Sequence, residues 1–210
     1  MSALLIRLAG PLQSWGSQSR FVYRDTEREP TKSGVVGLLA AALGRDRSES
    51  VEDLAALTMA VRVDFEGTIL RDFHTVGGEH RPGVTYGVAQ VGDKPNKPVL
   101  SWRDYLMDAD FLVGLEGEDS LLADLHGALQ HPRWPLALGR RACVPAVPVW
   151  IPDGFRQGAS LAEALTKYPW PRRDLAVPGP DRRPRRLRAV YEDPEGAEVR
   201  HDQPVGAAFQ

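Results

Sequence analysis

The feature that most constrains the fold is a local order of strand, helix and strand that occurs twice along the chain. In the first half, residues 3–9 form an apolar run that predicts a buried strand. Thr31 or Ser33 can cap the helix that follows, and Gly44 is placed to end it. The alternating residues 61–65 predict the second strand of this half.

The second half repeats the order. Residues 110–115 predict a strand, and Ser120 is placed to cap a helix that stops before Pro132. The apolar residues 136–138 predict another strand, and residues 144–151 predict an edge strand at most, because prolines interrupt them. A helix bundle is therefore excluded, and a fold that mixes helices with a sheet is favoured.

Between the halves lies a stretch that lacks a core pattern. Residues 72–103 are rich in glycine and proline and contain few contiguous apolar residues. A stretch of that length without a core pattern is unusual in a compact domain unless it has a function, such as a hairpin that protrudes toward a partner. We therefore expect a functional insertion here. Near the end of the chain, residues 187–192 are predicted to form a final hairpin with residues 198–205.

Composition sets broad limits on the class of protein. The chain has 210 residues, of which 42% are hydrophobic and 26% charged, so it can bury a sizeable core and is not globally disordered. A single cysteine, Cys143, cannot close an intramolecular disulfide. The apolar N-terminal run is too short for a signal peptide or a membrane span. We expect a cytoplasmic protein without membrane contact.

Charge is distributed unevenly, although the net charge is only −2. Residues 172–188 contain seven arginines and two aspartates, and prolines prevent them from forming a helix. Such a run can follow phosphates, or it can simply be a solvated loop. Charge alone leaves both interpretations open.

Two other short motifs could bind phosphate. Lys32 and Ser33 stand at a predicted helix start, where free N–H groups and the helix dipole favour an anion, although ordinary capping explains the same residues. Arg140 and Arg141 follow Gly139, whose missing side chain permits close approach of a backbone. The glycines of a phosphate-binding loop are absent, and the histidines show no metal-ligand spacing. We expect no cofactor and no metal.

Five sequence blocks together resemble one family, the CasD subunits of type I-E CRISPR Cascade surveillance complexes. The blocks are LAGPLQSWG (8–16), PTKSGVVGLL (30–39), RDFHT (71–75), WRDYL (102–106) and LGRRAC (138–143). They occur in the family's order and extend to about Cys143.

The resemblance implies an α+β fold of the repeat-associated RNA-binding superfamily, with a ferredoxin-like, RRM-related βαββαβ core. It implies a core domain over residues 1–150 with a thumb hairpin inserted at about 72–103. Residues 151–210 would then form a C-terminal extension with an Arg/Pro-rich loop and a β-hairpin.

The resemblance also implies a non-catalytic role, in which the chain holds the crRNA 5′ handle and caps the complex. The implied partners are the adjacent backbone subunit and the large subunit that recognises the PAM. The RNA-facing positions it implies are Gln13, Trp15, Lys32, Ser33, Arg140 and Arg141, with His74, Tyr86 and Arg103 in the thumb or at its base.

Two other functions stay open. Relatives in another CRISPR subtype cut repeat RNA on the same fold, and metal-independent cleavage needs a base, an acid and a cation near the phosphate. His74, Tyr86 and Lys94 are candidates for those roles, although no spacing fixes the three together. A generic oligomerisation domain without an RNA role is the third hypothesis.

Overall fold

The computed structural model of this chain describes residues 2–19, 22–77, 98–171, 186–196 and 202. These residues form a mixed α+β structure with antiparallel sheets and few helices. The strands are β1 Ser2–Ala9, β2 Leu12–Gln13, β3 Tyr23–Arg24, β4 Thr58–Phe65, β5 Thr68–Val76, β6 Val99–Met107, β7 Asp110–Gly117, β8 Trp150–Arg156 and β9 Arg188–Tyr191. The helices are α1 Lys32–Leu43, α2 Glu52–Ala55, α3 Asp119–Gln130 and α4 Leu161–Lys167.

A five-stranded antiparallel sheet in the order β8-β1-β7-β4-β9 forms the body of the molecule. Both of its faces are covered, which explains why β1 and β7 are almost continuously apolar. Leu4, Ile6 and Leu8 of β1 pack with α1 and α3 on one face. Ala3 and Leu5 point the other way and pack with α4. Strands β1, β4 and β7 of this sheet lie before residue 150, the predicted end of the core domain, and β8 and β9 begin at or after it.

The face under α4 also holds buried charge. Arg62 forms an ion pair with Asp64, with 2.7 Å between Nε and Oδ1, and both side chains are almost inaccessible to solvent. Arg62 also donates hydrogen bonds to the backbone carbonyls of Leu165, Tyr168 and Pro169. A buried guanidinium destabilises the fold unless its N–H groups form hydrogen bonds, so these bonds hold the end of α4 against the sheet.

A second sheet packs against the body through Tyr105 and Leu106 of β6, which belong to the same core cluster as residues of β1, α1 and α3. β5 and β6 pair antiparallel over nine residues each, and the short strands β2 and β3 pair with the other edge of β6. The predicted insertion therefore begins and ends in regular strands, since residues 72–76 and 99–103 belong to them. Their hydrophobic pattern is weak because most side chains of β5 remain exposed.

The structure confirms several sequence predictions. Strand β1 and helix α1 lie where they were expected; the Thr31 hydroxyl accepts a hydrogen bond from the Gly34 N–H, and Gly44 ends the helix with a positive φ of 74°. Strand β9 lies within the predicted final hairpin, but most of residues 197–205 fall outside the described residues. The same is true of most of the arginine run.

Three predictions were wrong. Residues 136–138 form a loop, because Gly139 reverses the chain with a φ of 85°. The edge strand after them begins only at Trp150. Ser120 does not cap α3, since Glu118 is the capping residue and the Ser120 hydroxyl donates to its carboxylate at 2.7 Å. Among the described helices, none is long and apolar enough to cross a membrane.

Candidate nucleic-acid interface

The candidate site is built on a tight backbone contact at Gly139. The Ser14 N–H donates a hydrogen bond to the Leu138 carbonyl at 3.0 Å, which draws the loop against the segment after β2. A Cβ atom at Gly139 would lie 1.7 Å from the Ser14 carbonyl oxygen, and φ at Gly139 is positive. Only glycine fits this position without a rearrangement. The sequence predicted a close approach here, and the backbone that approaches belongs to the protein itself.

Arg140 is held by the protein. Its guanidinium donates hydrogen bonds to the backbone carbonyls of Asp104, Arg24 and Asp25 at 2.9–3.2 Å. It also lies 4.8 Å from the centre of the Tyr105 ring, within the range of a cation–π contact. Arg140 thus joins three segments that are far apart in the sequence.

Arg141, the next residue, has a different environment. Its side chain is exposed, and no described residue forms a hydrogen bond or ion pair with it. It lines a groove of about 960 Å³ between α1 and the loop that follows α3. Its lining includes apolar residues such as Ala41 and Trp134, the cations Arg45 and Arg47, and the carboxylates of Asp46 and Glu49. Arg45 is paired with Asp53. Arg141 beside this partly apolar lining suits a ligand that combines a flat apolar group with negative charge.

A smaller pocket of about 260 Å³ adjoins this groove, since Ser33, Gly34 and Gly139 line both. The smaller pocket also contacts Trp15 and Arg140. The structure therefore brings Trp15, Ser33, Arg140 and Arg141 to two connected depressions, as a common interface requires.

Two carboxylates occupy the start of α1. The backbone N–H of Ser33 donates to Asp202 at 3.1 Å, and the Ser33 hydroxyl donates to the same carboxylate. Lys32 Nζ donates to Glu192 at 2.6 Å and also to the Leu57 carbonyl. The positions expected to bind phosphate thus bind acidic side chains that come from residues 192 and 202.

Gln13 and Trp15 are buried in this structure. Their exposed fractions are 0% and 1%. The Gln13 amide donates to the Leu8 and Ala109 carbonyls at 3.0 and 2.8 Å, and its oxygen accepts from Trp15 Nε1 at 3.0 Å. The Trp15 ring lies directly against Gly34 at the start of α1. Both side chains therefore hold the segment after β2 against β1 and the start of α1.

The remaining predicted residues belong to the β5–β6 pair. His74 lies in β5, with Nδ1 3.5 Å from the Asp72 carboxylate. Arg103 lies in β6, directly opposite Asp72, and its Nε donates to the Ser101 hydroxyl at 3.1 Å. Tyr86 and Lys94 lie outside the described residues.

Arg24 was missed by sequence reasoning. It is exposed on β3, directly opposite Arg103 in the parallel pairing with β6. The two-residue strand β3 has no periodicity of its own, so no local pattern could have revealed this neighbour. Sequence reasoning also missed Arg45, Arg47 and Trp134, because no local pattern shows which separate segments meet at the groove.

Metal ligands and the single cysteine were two further candidates for a chemical role. No group of three or more histidine, cysteine, aspartate or glutamate side chains in the described part of the chain could hold a metal ion. Cys143 is buried, and this burial raises the pKa of its thiol, which makes it a poor nucleophile.

Comparison with known proteins agrees with this description. A family model described as CRISPR-associated protein (Cas_Cas5) matches residues 3–209. The Cascade subunit CasD of Escherichia coli (strain K12) is 36% identical over 181 residues, which is 80% of this chain and 77% of CasD. A solved crystal structure of a Cas protein is 48% identical, with a TM-score of 0.72 over 98% of this chain and 86% of that one.

A chain of a CRISPR RNA-guided surveillance complex is 39% identical, with a TM-score of 0.62 over 75% of this chain and 64% of that one. The family match covers almost the whole chain, and the identity to CasD extends over most of it. The chain belongs to the CRISPR-associated Cas5 family.

Proposed function

We propose that this chain is a non-catalytic RNA-binding subunit of a CRISPR antiviral surveillance complex of the Cascade type. In this role it holds the crRNA 5′ handle and caps the end of the complex in the cytoplasm. Its partners are the crRNA, the neighbouring backbone subunit and the large subunit that recognises the PAM. Membership of the Cas5 family and the likeness to CasD and to a chain of a surveillance complex support this function.

The topology supports a ferredoxin-like core. Within the five-stranded sheet, β1 comes before α1 and β4 after it, and β7 comes before α3 and β8 after it; these four strands lie in the order β8-β1-β7-β4. This is the antiparallel order of a βαββαβ unit, with one helix after its first strand and one after its third. On this proposal, the β5–β6 pair is the base of the thumb, and residues 151–210 extend the core.

The observation that carries the proposal is the exposed Arg141 at the rim of the groove beside α1. A guanidinium without a partner among the described residues offers its donors to a phosphate, and the apolar residues that line the groove can accept an unstacked base. Arg140, Gln13 and Trp15 hold the neighbouring segments in place. Lys32 and Ser33 contribute to RNA binding once the carboxylates of Glu192 and Asp202 have moved aside.

Filter binding of a labelled handle RNA tests the proposal. Arg141→Ala is expected to weaken the affinity about tenfold to hundredfold, because a charge-assisted hydrogen bond is worth about 1.5–3 kcal/mol. The salt dependence should fall by about one phosphate contact. Arg156→Ala removes a partly exposed arginine of β8 that pairs with Asp153, and this control should leave both quantities unchanged.

Equal effects of Arg141→Ala and Arg156→Ala would show that only net charge matters and would reject the site. The same RNA incubated with the chain in EDTA tests for catalysis. Recovery of intact RNA supports a binding subunit. A discrete 5′-handle product, lost on His74→Ala, would instead establish an endoribonuclease.

A further inference from the structure

Three aromatic side chains form a row across the second sheet. Trp102 of β6 is directly opposite Phe73 of β5 and directly opposite Tyr23 of β3. Residues in register on neighbouring strands point to the same face, so the three rings share one side of the sheet. The Phe73 and Trp102 rings are 4.7 Å apart. We call Tyr23, Trp102 and Phe73 the aromatic row.

The aromatic row is exposed to an extent that needs an explanation. Tyr23, Phe73 and Trp102 are 60%, 51% and 40% exposed, and Leu100 and Ile69 on the same face are exposed to a similar degree. A contiguous apolar surface of this kind on one side of a thin sheet is unfavourable in water. Such patches usually mark a binding surface.

The charges on this face cancel. Among the described positions of the face, Arg71 and Asp104 are the charged residues, and they form a two-pronged ion pair with N–O distances of 2.7 and 2.9 Å. The opposite face carries the cations Arg24 and Arg103, the carboxylate of Asp72 and the exposed apolar side chains of Leu70 and Met107. We call this the basic face and the face of the aromatic row the apolar face, because cations other than the paired Arg71 occur only on the first among the described residues of the two faces.

This difference in charge favours a protein over RNA as the ligand of the apolar face. RNA binding depends on cations that neutralise phosphates, and the apolar face offers only a guanidinium that Asp104 has already paired. The cores of protein interfaces, in contrast, are rich in aromatic residues and poor in unpaired charge. The basic face is suited to RNA, and the apolar face is suited to protein.

We infer that the aromatic row and Leu100 form a docking surface for an uncharged, apolar surface of another protein subunit in the same complex. The β5–β6 pair then lies between that subunit and the RNA. The inference rests on the proposed function, since it needs a complex in which both ligands are present. It adds a specific surface and the chemistry of the partner that covers it.

Photo-cross-linking within the assembled complex tests the inference. Phe73 on the apolar face and His74 on the basic face are adjacent in sequence, so each is replaced in turn by p-benzoylphenylalanine, and the complex is purified with its RNA and irradiated. Position 73 should give an adduct with another subunit that resists ribonuclease. Position 74 should give an adduct that ribonuclease removes.

A second measurement uses ordinary substitutions. The double variant Tyr23→Ser, Trp102→Ser should reduce incorporation into the complex at least tenfold while the isolated chain binds handle RNA as before. Tyr191→Ser, on the exposed side of β9, is the matched control and should assemble normally.

These experiments distinguish failure of the inference from failure of the proposed function. An RNA adduct at position 73, or no adduct there, would overturn the inference while leaving the proposed function intact, as would normal assembly of the double variant. An adduct with a second copy of this chain would also overturn it. If the unmodified chain neither binds handle RNA nor joins the complex, the proposed function fails, and the inference fails with it.

Discussion

The five-stranded body and the β5–β6 pair each contain an Arg–Asp ion pair on adjoining sheet positions, and the two pairs differ in environment. Arg62 and Asp64 of β4 are 7% and 2% exposed, and Arg62 also binds three backbone carbonyls. Arg71 and Asp104 lie on an open face, where the Arg71 side chain is 59% exposed. The same two residue types thus hold the fold together in one region and only neutralise a surface in the other.

The two regions differ in what a substitution is expected to change. In the body, polar groups are occupied by other parts of the chain, so a substitution there acts on stability. On the β5–β6 pair, Tyr105 and Leu106 of β6 belong to the core, but side chains such as Arg71, Phe73 and Trp102 are exposed. Substitutions of these exposed side chains should act on partners.

The largest expected effect comes from breaking the buried pair. Arg62→Met leaves the Asp64 carboxylate and three carbonyls without their donor, and we expect the free energy of unfolding to fall by about 3–5 kcal/mol. Arg71→Met removes the corresponding arginine of the exposed pair and should lower the free energy of unfolding far less than Arg62→Met does. Similar losses for the two variants would contradict the comparison.

A second test asks whether the loop at Gly139 belongs to the body. Gly139→Ala introduces a Cβ at a positive φ and against the Ser14 carbonyl, and we expect a loss of about 3 kcal/mol in urea unfolding. Gly37→Ala is the matched change in α1, where a Cβ meets nothing within 4 Å. It should raise stability by about 0.5–1 kcal/mol. A neutral Gly139→Ala would show that the loop is loosely attached.

The smallest expected effect is a difference in pH dependence. Burial raises the pKa of Asp64 despite the neighbouring Arg62, whereas the hydrogen bonds from Arg71 lower the pKa of Asp104. The Asp64 contribution is therefore greatest at low pH and declines as the pH rises above the ordinary value of about 3.9. The Asp104 contribution is complete above that value and is lost as the pH falls below it.

Urea unfolding between pH 2 and 6 measures both signs. Asp104→Asn should reduce the loss of stability in acid, and Asp64→Asn should make stability rise more steeply with pH above about 4. In each case the slope of the free energy of unfolding against pH should change by no more than the amount that corresponds to about one bound proton. If both variants changed the profile in the same direction, the two pairs would not differ as described.

Sequence reasoning succeeded where structure depends on near neighbours. The Thr31 cap, the α1 helix and the Gly44 stop follow from residues within a few positions of one another. The apolar runs of β1 and β7 identify buried strands for the same reason. The five family blocks, taken together, identified the family that the comparisons confirm.

It was weaker where both faces of a strand are exposed or where a loop is held from a distance. β5 has a weak hydrophobic pattern because most of its side chains remain in water. Residues 136–138 look like a strand, but their hydrogen bonds go to residue 14 and residue 143. Local pattern carries no information about such distant partners.

The sequence by itself thus determined the main helices, the central strands and the family. Only the tertiary structure separated Arg140, which is bonded to carbonyls as many as 116 residues away, from the exposed Arg141 beside it. It also aligned Tyr23, Trp102 and Phe73 from three strands. The physical reason is that burial and partnership depend on contacts between distant segments, which neighbouring residues in the sequence do not encode.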